Sequence, residues 1–295
     1  MNRPKAIESY ADMAFHLDNH GAERYNQVKQ VCPSHQRNVF LSWTAAGTMH
    51  MNVVYEPKGR AREYSELACN LYRGCTHGCR YCYAPSCMRT TGEKWHATAA
   101  PRRDVLQNFE KDAIKLRGDS RRILFCFLSD PYQPIERVER LTRQALGIVA
   151  KHRLNSQVLT KGCADLIQED MGLMKDAHTQ LGITLCFADD SIRKDWEPGA
   201  STVDDRLTVL KAAHKEGIFT WVSLEPVIDP EQALTVIRMA HPYVNFWKLG
   251  KLNHMKEHEK TVNWGKFLYD AEQLFTKFGA KYYIKNDLRS FALKQ

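Results

Sequence analysis

Cys75, Cys79 and Cys82 stand in the stretch Asn70-Leu-Tyr-Arg-Gly-Cys-Thr-His-Gly-Cys-Arg-Tyr-Cys-Tyr-Ala-Pro85, spaced by three residues and then two. Thiolates placed this way on one tight loop can bind three irons of a [4Fe–4S] cluster and leave the fourth iron open. Electron-transfer clusters are instead held by four thiolates. An open iron can take a small molecule and act on it. Gly74 and Gly78 let the backbone wrap closely, and Tyr81 sets an aromatic face beside the last cysteine. Zinc is the competing reading, with His77, Cys69 or Cys87 completing a tetrahedral site. Zinc spacings, however, ordinarily come as two separated pairs.

A frame must hold these thiols, and the rest of the chain describes one. Short apolar runs rich in β-branched and aromatic residues occur at Arg122–Leu128, Gln157–Thr160, Gly182–Phe187, Phe219–Leu224, Val244–Leu249 and Lys281–Ile284. With Ser65–Leu71 as a first strand, they read as buried parallel strands. Amphipathic stretches separate them: Asp104–Leu116, Val138–His152, Ala164–Gln180, Asp204–Glu216, Pro230–Ala240 and Trp264–Phe278. Asp204 and Pro230 suit helix starts and Gly217 a helix stop. Repeating βα units predict an α/β fold with a parallel sheet and right-handed crossovers, as an open barrel or a doubly wound sheet.

The chemistry-bearing residues favour the barrel, because they gather at strand C-terminal ends. Cys75 follows the first strand, Ser129 and Asp130 the second, Lys161 the third and Asp189 the fourth. Glu225 lies on the fifth strand, and Lys251 and Asn253 follow the sixth. Residues 1–64 read as a mixed N-terminal extension and 65–295 as the core with a C-terminal strand and helix.

Lys plus Arg outnumber Asp plus Glu by 42 to 34, a net charge of +8, which favours phosphate-bearing partners. Basic clusters fall at Lys58–Arg62, Pro101–Arg103 and Arg117–Arg122. The nine cysteines are odd in number and scattered, which speaks against a disulfide framework and for a reducing cytoplasm. No apolar run suits a membrane span, and the first ten residues lack the apolar core of a signal peptide. Cys32 and His35 form a lone pair of little weight.

The cysteine loop resembles the Cys-x-x-x-Cys-x-aromatic-Cys signature of the radical S-adenosylmethionine (SAM) superfamily. Tyr55–Tyr64, Asn70–Ala84, Ser129–Pro134 and Lys248–His254 are similar to its spore photoproduct lyase-like branch, often described as DNA repair photolyase-like. The resemblance implies a partial (βα)6 barrel and a cluster-bound SAM cleaved reductively to a 5′-deoxyadenosyl radical, which abstracts hydrogen from a substrate. It implies a flavodoxin- or ferredoxin-type one-electron donor, a DNA or nucleotide substrate, and lyase chemistry that returns a hydrogen through cysteine and tyrosine. A peptide or small-metabolite substrate is the alternative within the superfamily. A non-catalytic zinc or Fe–S nucleic-acid-binding module is the alternative outside it.

On this resemblance Tyr81 stacks near the cluster or adenine. Ser129 and Asp130 occupy the place of the segment that receives the SAM amino group, although an Asp-Pro turn explains them equally. Lys161 or Arg206 would pair with the SAM carboxylate; solvated loop and surface-helix positions are the plainer readings. Glu225 sits in an apolar strand and needs a basic partner or a ribose hydroxyl. Asp189 is a second ribose candidate, with Lys248 or Lys251 available to neutralise these acids. Cys163 and Cys87 are candidate hydrogen donors to a product radical, whereas Cys126 and Cys186 read as inert strand residues.

Overall fold

The computed structural model describes residues 41–43 and 49–292. Cys32, His35 and most of the N-terminal extension lie outside the described residues. The central sheet has eight strands. They are β1 (Val54–Tyr55), β2 (Leu67–Cys69), β3 (Arg122–Phe125), β4 (Asn155–Thr160), β5 (Gln180–Thr184), β6 (Thr220–Val227), β7 (Phe246–Lys251) and β8 (Tyr282–Ile284). Each strand pairs with its neighbours in sequence, and β2 to β8 are all parallel. Only β1, from the extension, runs antiparallel, against β2. The seven parallel strands are those expected from the apolar runs. They form a partial (βα)6 barrel extended by β8 and its helix.

Strand alternation builds the two faces. Leu67 and Cys69, Ile123 and Phe125, and Val222 and Leu224 turn outward into the main core beneath the helices. Their neighbours on the same strands, Ala68, Leu124 and Trp221, turn inward and join Tyr64 in a small cluster of their own. That cluster fills the concave side of the sheet and forms a floor for the space above it. β1 and β8, the two sheet edges, are not paired with each other. Side chains cross this seam instead: Glu63 accepts from the Tyr283 hydroxyl at 2.9 Å and from the Asn286 backbone N–H at 2.9 Å.

Helices Pro230–Ala240 and Trp264–Phe278 form with the boundaries the sequence predicts, capped by Asp229 and Asn263. The helix expected from Asp204 starts at Val203, because Thr202 and Asp205 form a reciprocal capping box. Two expectations change more. The predicted Val138–His152 helix begins at Leu141, after Arg140 adopts a left-handed conformation at φ 51°. The predicted Ala164–Gln180 helix breaks into Ala164–Glu169 and Met171–Asp176, and Gln180 opens β5. The break falls at Asp170, whose buried carboxylate accepts from the Tyr132 hydroxyl at 3.0 Å. Among the described residues no helix is long and apolar enough to cross a membrane.

Candidate functional site

Above the floor lies a cavity of about 230 Å³, walled by the C-terminal ends of the strands and the loops that follow them. Cys75, Cys79 and Cys82 all line it, with Tyr81 and His77 from the same loop. None of the three cysteines is in a disulfide. Local contacts hold their loop firmly. The Cys75 N–H donates to the Trp95 carbonyl at 3.3 Å, Arg80 N–H to Trp196 at 2.9 Å and Cys82 N–H to Cys79 at 3.1 Å. The Gln133 side chain accepts from Thr76 N–H at 3.2 Å and donates to the Gly74 carbonyl at 3.3 Å. Gly74 has φ +80°, and a Cβ there would fall 2.1 Å from the Thr98 carbonyl oxygen, so this turn requires glycine.

Burial pushes all three thiols up, Cys82 to about 11, so each needs a positive centre beside it to ionise. Among the described residues no three His, Cys, Asp or Glu side chains converge closely enough to hold one metal ion. A tetrahedral zinc site built with His77, Cys69 or Cys87 would need such a convergence on one ion. A cluster asks for less convergence, since its thiolates sit on separate irons. His77 Nε2 is buried without a partner among the described residues, a polar atom left for a guest in the cavity. Unpaired thiols on one wall and this orphaned nitrogen fit an iron–sulfur cluster.

A buried charge network backs the cysteine loop. Lys161 Nζ donates to the Tyr81 hydroxyl at 2.7 Å and lies 3.9 Å from Cys79 Sγ and 3.5 Å from Glu197 Oε1. The Tyr81 hydroxyl donates to Glu197. Arg206 reaches Glu197 at 2.6 Å and donates to the Thr184 carbonyl at 3.0 Å. Burial alone would raise the Glu197 pKa, but Arg206 and Lys161 outweigh it and hold the carboxyl at about 2. Burial works against the Lys161 ammonium too, yet Cys79 and Glu197 prevail and keep it above the ordinary lysine range. Lys161 is thus no solvated loop lysine, and Arg206, 2% exposed, is no surface arginine.

Asp130 organises the adjoining strand ends. Its carboxylate accepts from Tyr132 N–H at 2.8 Å, from the Thr160 hydroxyl at 2.6 Å and from Lys161 N–H at 2.9 Å. The first of these is the Asp-Pro turn anticipated from sequence. Ser129 and Asp130 both line the cavity as well. Gly162 packs against the same turn, where a Cβ would fall 2.1 Å from the Tyr132 carbonyl oxygen.

On the β6 to β8 side, Glu225 does have the basic partner that burial demands. That partner is Lys285, at 2.7 Å, rather than Lys248 or Lys251. The Tyr64 hydroxyl donates to Glu225 and lies 2.8 Å from Ser223 Oγ. Lys248 donates to the Tyr64 carbonyl at 2.8 Å, and burial and then Lys285 lower its pKa to about 8. Lys251 pairs with Glu259 at 2.6 Å.

Tyr81, Ser129, Asp130, Lys161 and Glu225 meet at the cavity, together with the three cysteines. Arg206 does not line it and acts through Glu197. Asp189 is exposed, and its carboxylate caps helix Asp190–Trp196 by accepting from Ser191 and Ile192 N–H. Cys163 sits at the start of helix Ala164–Glu169 beside Arg137, and Cys87 is buried in helix Ala84–Cys87; neither lines the cavity. Cys126, read from sequence as an inert strand residue, does line it. Cys126 directly follows β3 and shares the inward side of Leu124, two residues before it. Glu197, Tyr64 and Lys285 carried no sequence signal, because their partners are distant in the chain.

The pattern of the Radical SAM superfamily matches residues 69–240. An uncharacterized protein of Methanocaldococcus jannaschii is 30% identical over 187 residues, 62% of this chain and 69% of that protein. One from Mycobacterium tuberculosis is 29% identical over 171 residues, 54% of this chain; the chain spans about half of its length (48%). Among solved structures, spore photoproduct lyase with bound AdoMet and dinucleoside spore photoproduct superposes with a TM-score of 0.55 at 13% identity. The match covers 85% of this chain and 80% of that one. A radical SAM methyltransferase from Sphaerobacter thermophilus gives a TM-score of 0.50 at 15% identity, over 74% and 65% of the two chains. At such identities the structural likeness speaks for the fold.

Proposed function

Because the chain belongs to the radical SAM superfamily, we propose that it cleaves SAM reductively at a [4Fe–4S] cluster held by Cys75, Cys79 and Cys82, and acts on a nucleic acid or nucleotide. The observation that carries this reading is the set of three unpaired cysteines, spaced three and two, on one cavity wall at the ends of parallel strands. When bound, the cluster supplies the electron that cleaves the SAM sulfonium to the 5′-deoxyadenosyl radical. Lys161 pairs with the SAM carboxylate, held in place by Tyr81 and Glu197. Ser129 and the Asp130 turn receive the amino group, and Glu225 with Tyr64 takes the ribose hydroxyls. The floor of Tyr64, Leu124 and Trp221 closes the cavity from below and keeps water from the radical.

Cys126 is the thiol we assign to hydrogen return, in place of Cys163 and Cys87. Burial pushes its pKa up to about 12, so it keeps its proton at neutral pH. As the S–H bond breaks, a C–H bond forms on the product radical. An electron from a flavodoxin- or ferredoxin-type donor and a proton from solvent then restore the thiol. The likeness to spore photoproduct lyase supports a DNA-type substrate, and the net charge of +8 agrees with a phosphate-bearing one.

Anaerobic reconstitution tests the reading. About four irons and four sulfides per chain, with 5′-deoxyadenosine released on reduction, are expected. Cys79→Ala should lose both, and zinc uptake without SAM cleavage would sink the proposal. Cys126→Ala should still release 5′-deoxyadenosine but fail to pass solvent deuterium into the product.

A further inference from the structure

Two segments far apart in sequence meet at the rim of the cavity. One is Lys58–Arg62, in the extension; the other is the turn after β7 that carries Asn253 and His254. Arg60 and His254 both line the mouth, and burial and then the Arg60 charge lower the His254 pKa. The lysines of the same wall are already spent, Lys285 on Glu225 at 2.7 Å and Lys251 on Glu259 at 2.6 Å. Arg60 is different. Among the described residues its one oppositely charged partner is Asp287 at 3.7 Å, too far for a hydrogen bond. Asp287 is itself occupied, accepting from Asn253 Nδ2 at 2.8 Å and from Leu288 N–H at 2.9 Å. Among the described residues no hydrogen bond uses the Arg60 guanidinium or the His254 ring.

His254 is exposed and held at φ 70°, a conformation unusual for any residue but glycine. The backbone therefore presents this ring to the rim at a local cost. Outward from Arg60, the exposed Lys58 and Arg62 continue the positive surface. Six basic residues against one acidic fall within residues 70–103, the segment that carries the cysteine loop.

We propose that Arg60 and His254 form a phosphate-reading site at the cavity mouth, which grips one phosphodiester of a single-stranded nucleic acid while the neighbouring nucleotide enters. This rests on the radical SAM reading of the same cavity. An unspent guanidinium fork matches a phosphate bidentately, and the ring supplies a further donor. The surrounding positive surface favours a polyanion over a single carboxylate.

The test is binding of a labelled thymidine oligonucleotide of about ten nucleotides to the reconstituted, SAM-loaded protein across a salt series. Arg60→Gln should weaken binding about tenfold and flatten the log–log salt slope by about 0.7, the loss of one phosphate contact. Lys215→Gln, a charge removed from the far end of helix Val203–Lys215, should change neither. Equal binding by wild type and Arg60→Gln would overturn the assignment. So would a glutamate-rich peptide of matched charge that competes as well as the oligonucleotide. Failure of the wild-type protein to cleave SAM would count against the radical reading alone, since oligonucleotide binding is measured separately.

Discussion

The two walls of the cavity are built on opposite principles. On the cysteine-loop wall, Lys161, Tyr81, Glu197 and Arg206 are tied to one another by buried ion pairs and hydrogen bonds, and Asp130 accepts three hydrogen bonds. At the rim, Arg60 and His254 keep their donors unspent, and His254 holds a left-handed backbone conformation. A wall that must hold a cofactor in one geometry gains from charged groups tied to one another, and here it leaves the His77 ring nitrogen for its guest. A rim that meets a variable guest gains from donors left free for it. The contrast separates the part of the site that is preorganised from the part that is completed by what it binds.

The sharpest way to break this comparison is Glu197→Gln. It leaves Arg206 and Lys161 as buried cations without their carboxylate, and should cost about 3–5 kcal/mol in denaturant unfolding. The Glu197 carboxyl is held at about 2, below its ordinary 4.5. Its stabilisation is therefore complete above about pH 4.5 and drains away as pH falls toward 2, a slope that Glu197→Gln should remove. A midpoint unchanged by the substitution would show that the network is decorative. Gly162→Ala comes next. Its Cβ would meet the Tyr132 carbonyl oxygen at 2.1 Å, backbone that cannot swing aside. About 1–3 kcal/mol of destabilisation is expected, with a raised Kd for SAM through the shifted Lys161. The smallest effect belongs to the rim. His254→Gly relieves the left-handed backbone and should leave stability unchanged or raise it by about 1 kcal/mol, while oligonucleotide binding weakens. Loss of stability there would place His254 in the framework after all.

The frame was legible because it is written locally. Buried parallel strands declare themselves as apolar runs, and Trp264–Phe278 carries its own cap and stop. The cysteine loop was legible for the same reason, with all its ligands inside eight residues. Facing and pairing were not. Cys126 shares the inward face of Leu124, and no residue type in β3 marks which of its two apolar faces looks into the cavity. The lysine serving Glu225 arrives from 60 residues downstream, past two nearer and equally plausible ones. Arg206 looked like a surface arginine because Glu197, its partner, sits in a loop with no strand-end position to flag it. Asp189 shows the converse error: a carboxylate at a strand end that serves only the next helix.

The seam between β1 and β8 carries a consequence for how the molecule opens. Every other junction in the sheet is a backbone ladder, but here side chains carry the closure: Glu63 accepts from Tyr283 and Asn286, Lys248 donates to the Tyr64 carbonyl, and the Tyr64 hydroxyl donates to Glu225. Glu63 and Tyr64 together act as a clasp across the open side of the barrel, and any parting along this line must release their contacts with β6, β7 and β8 at once.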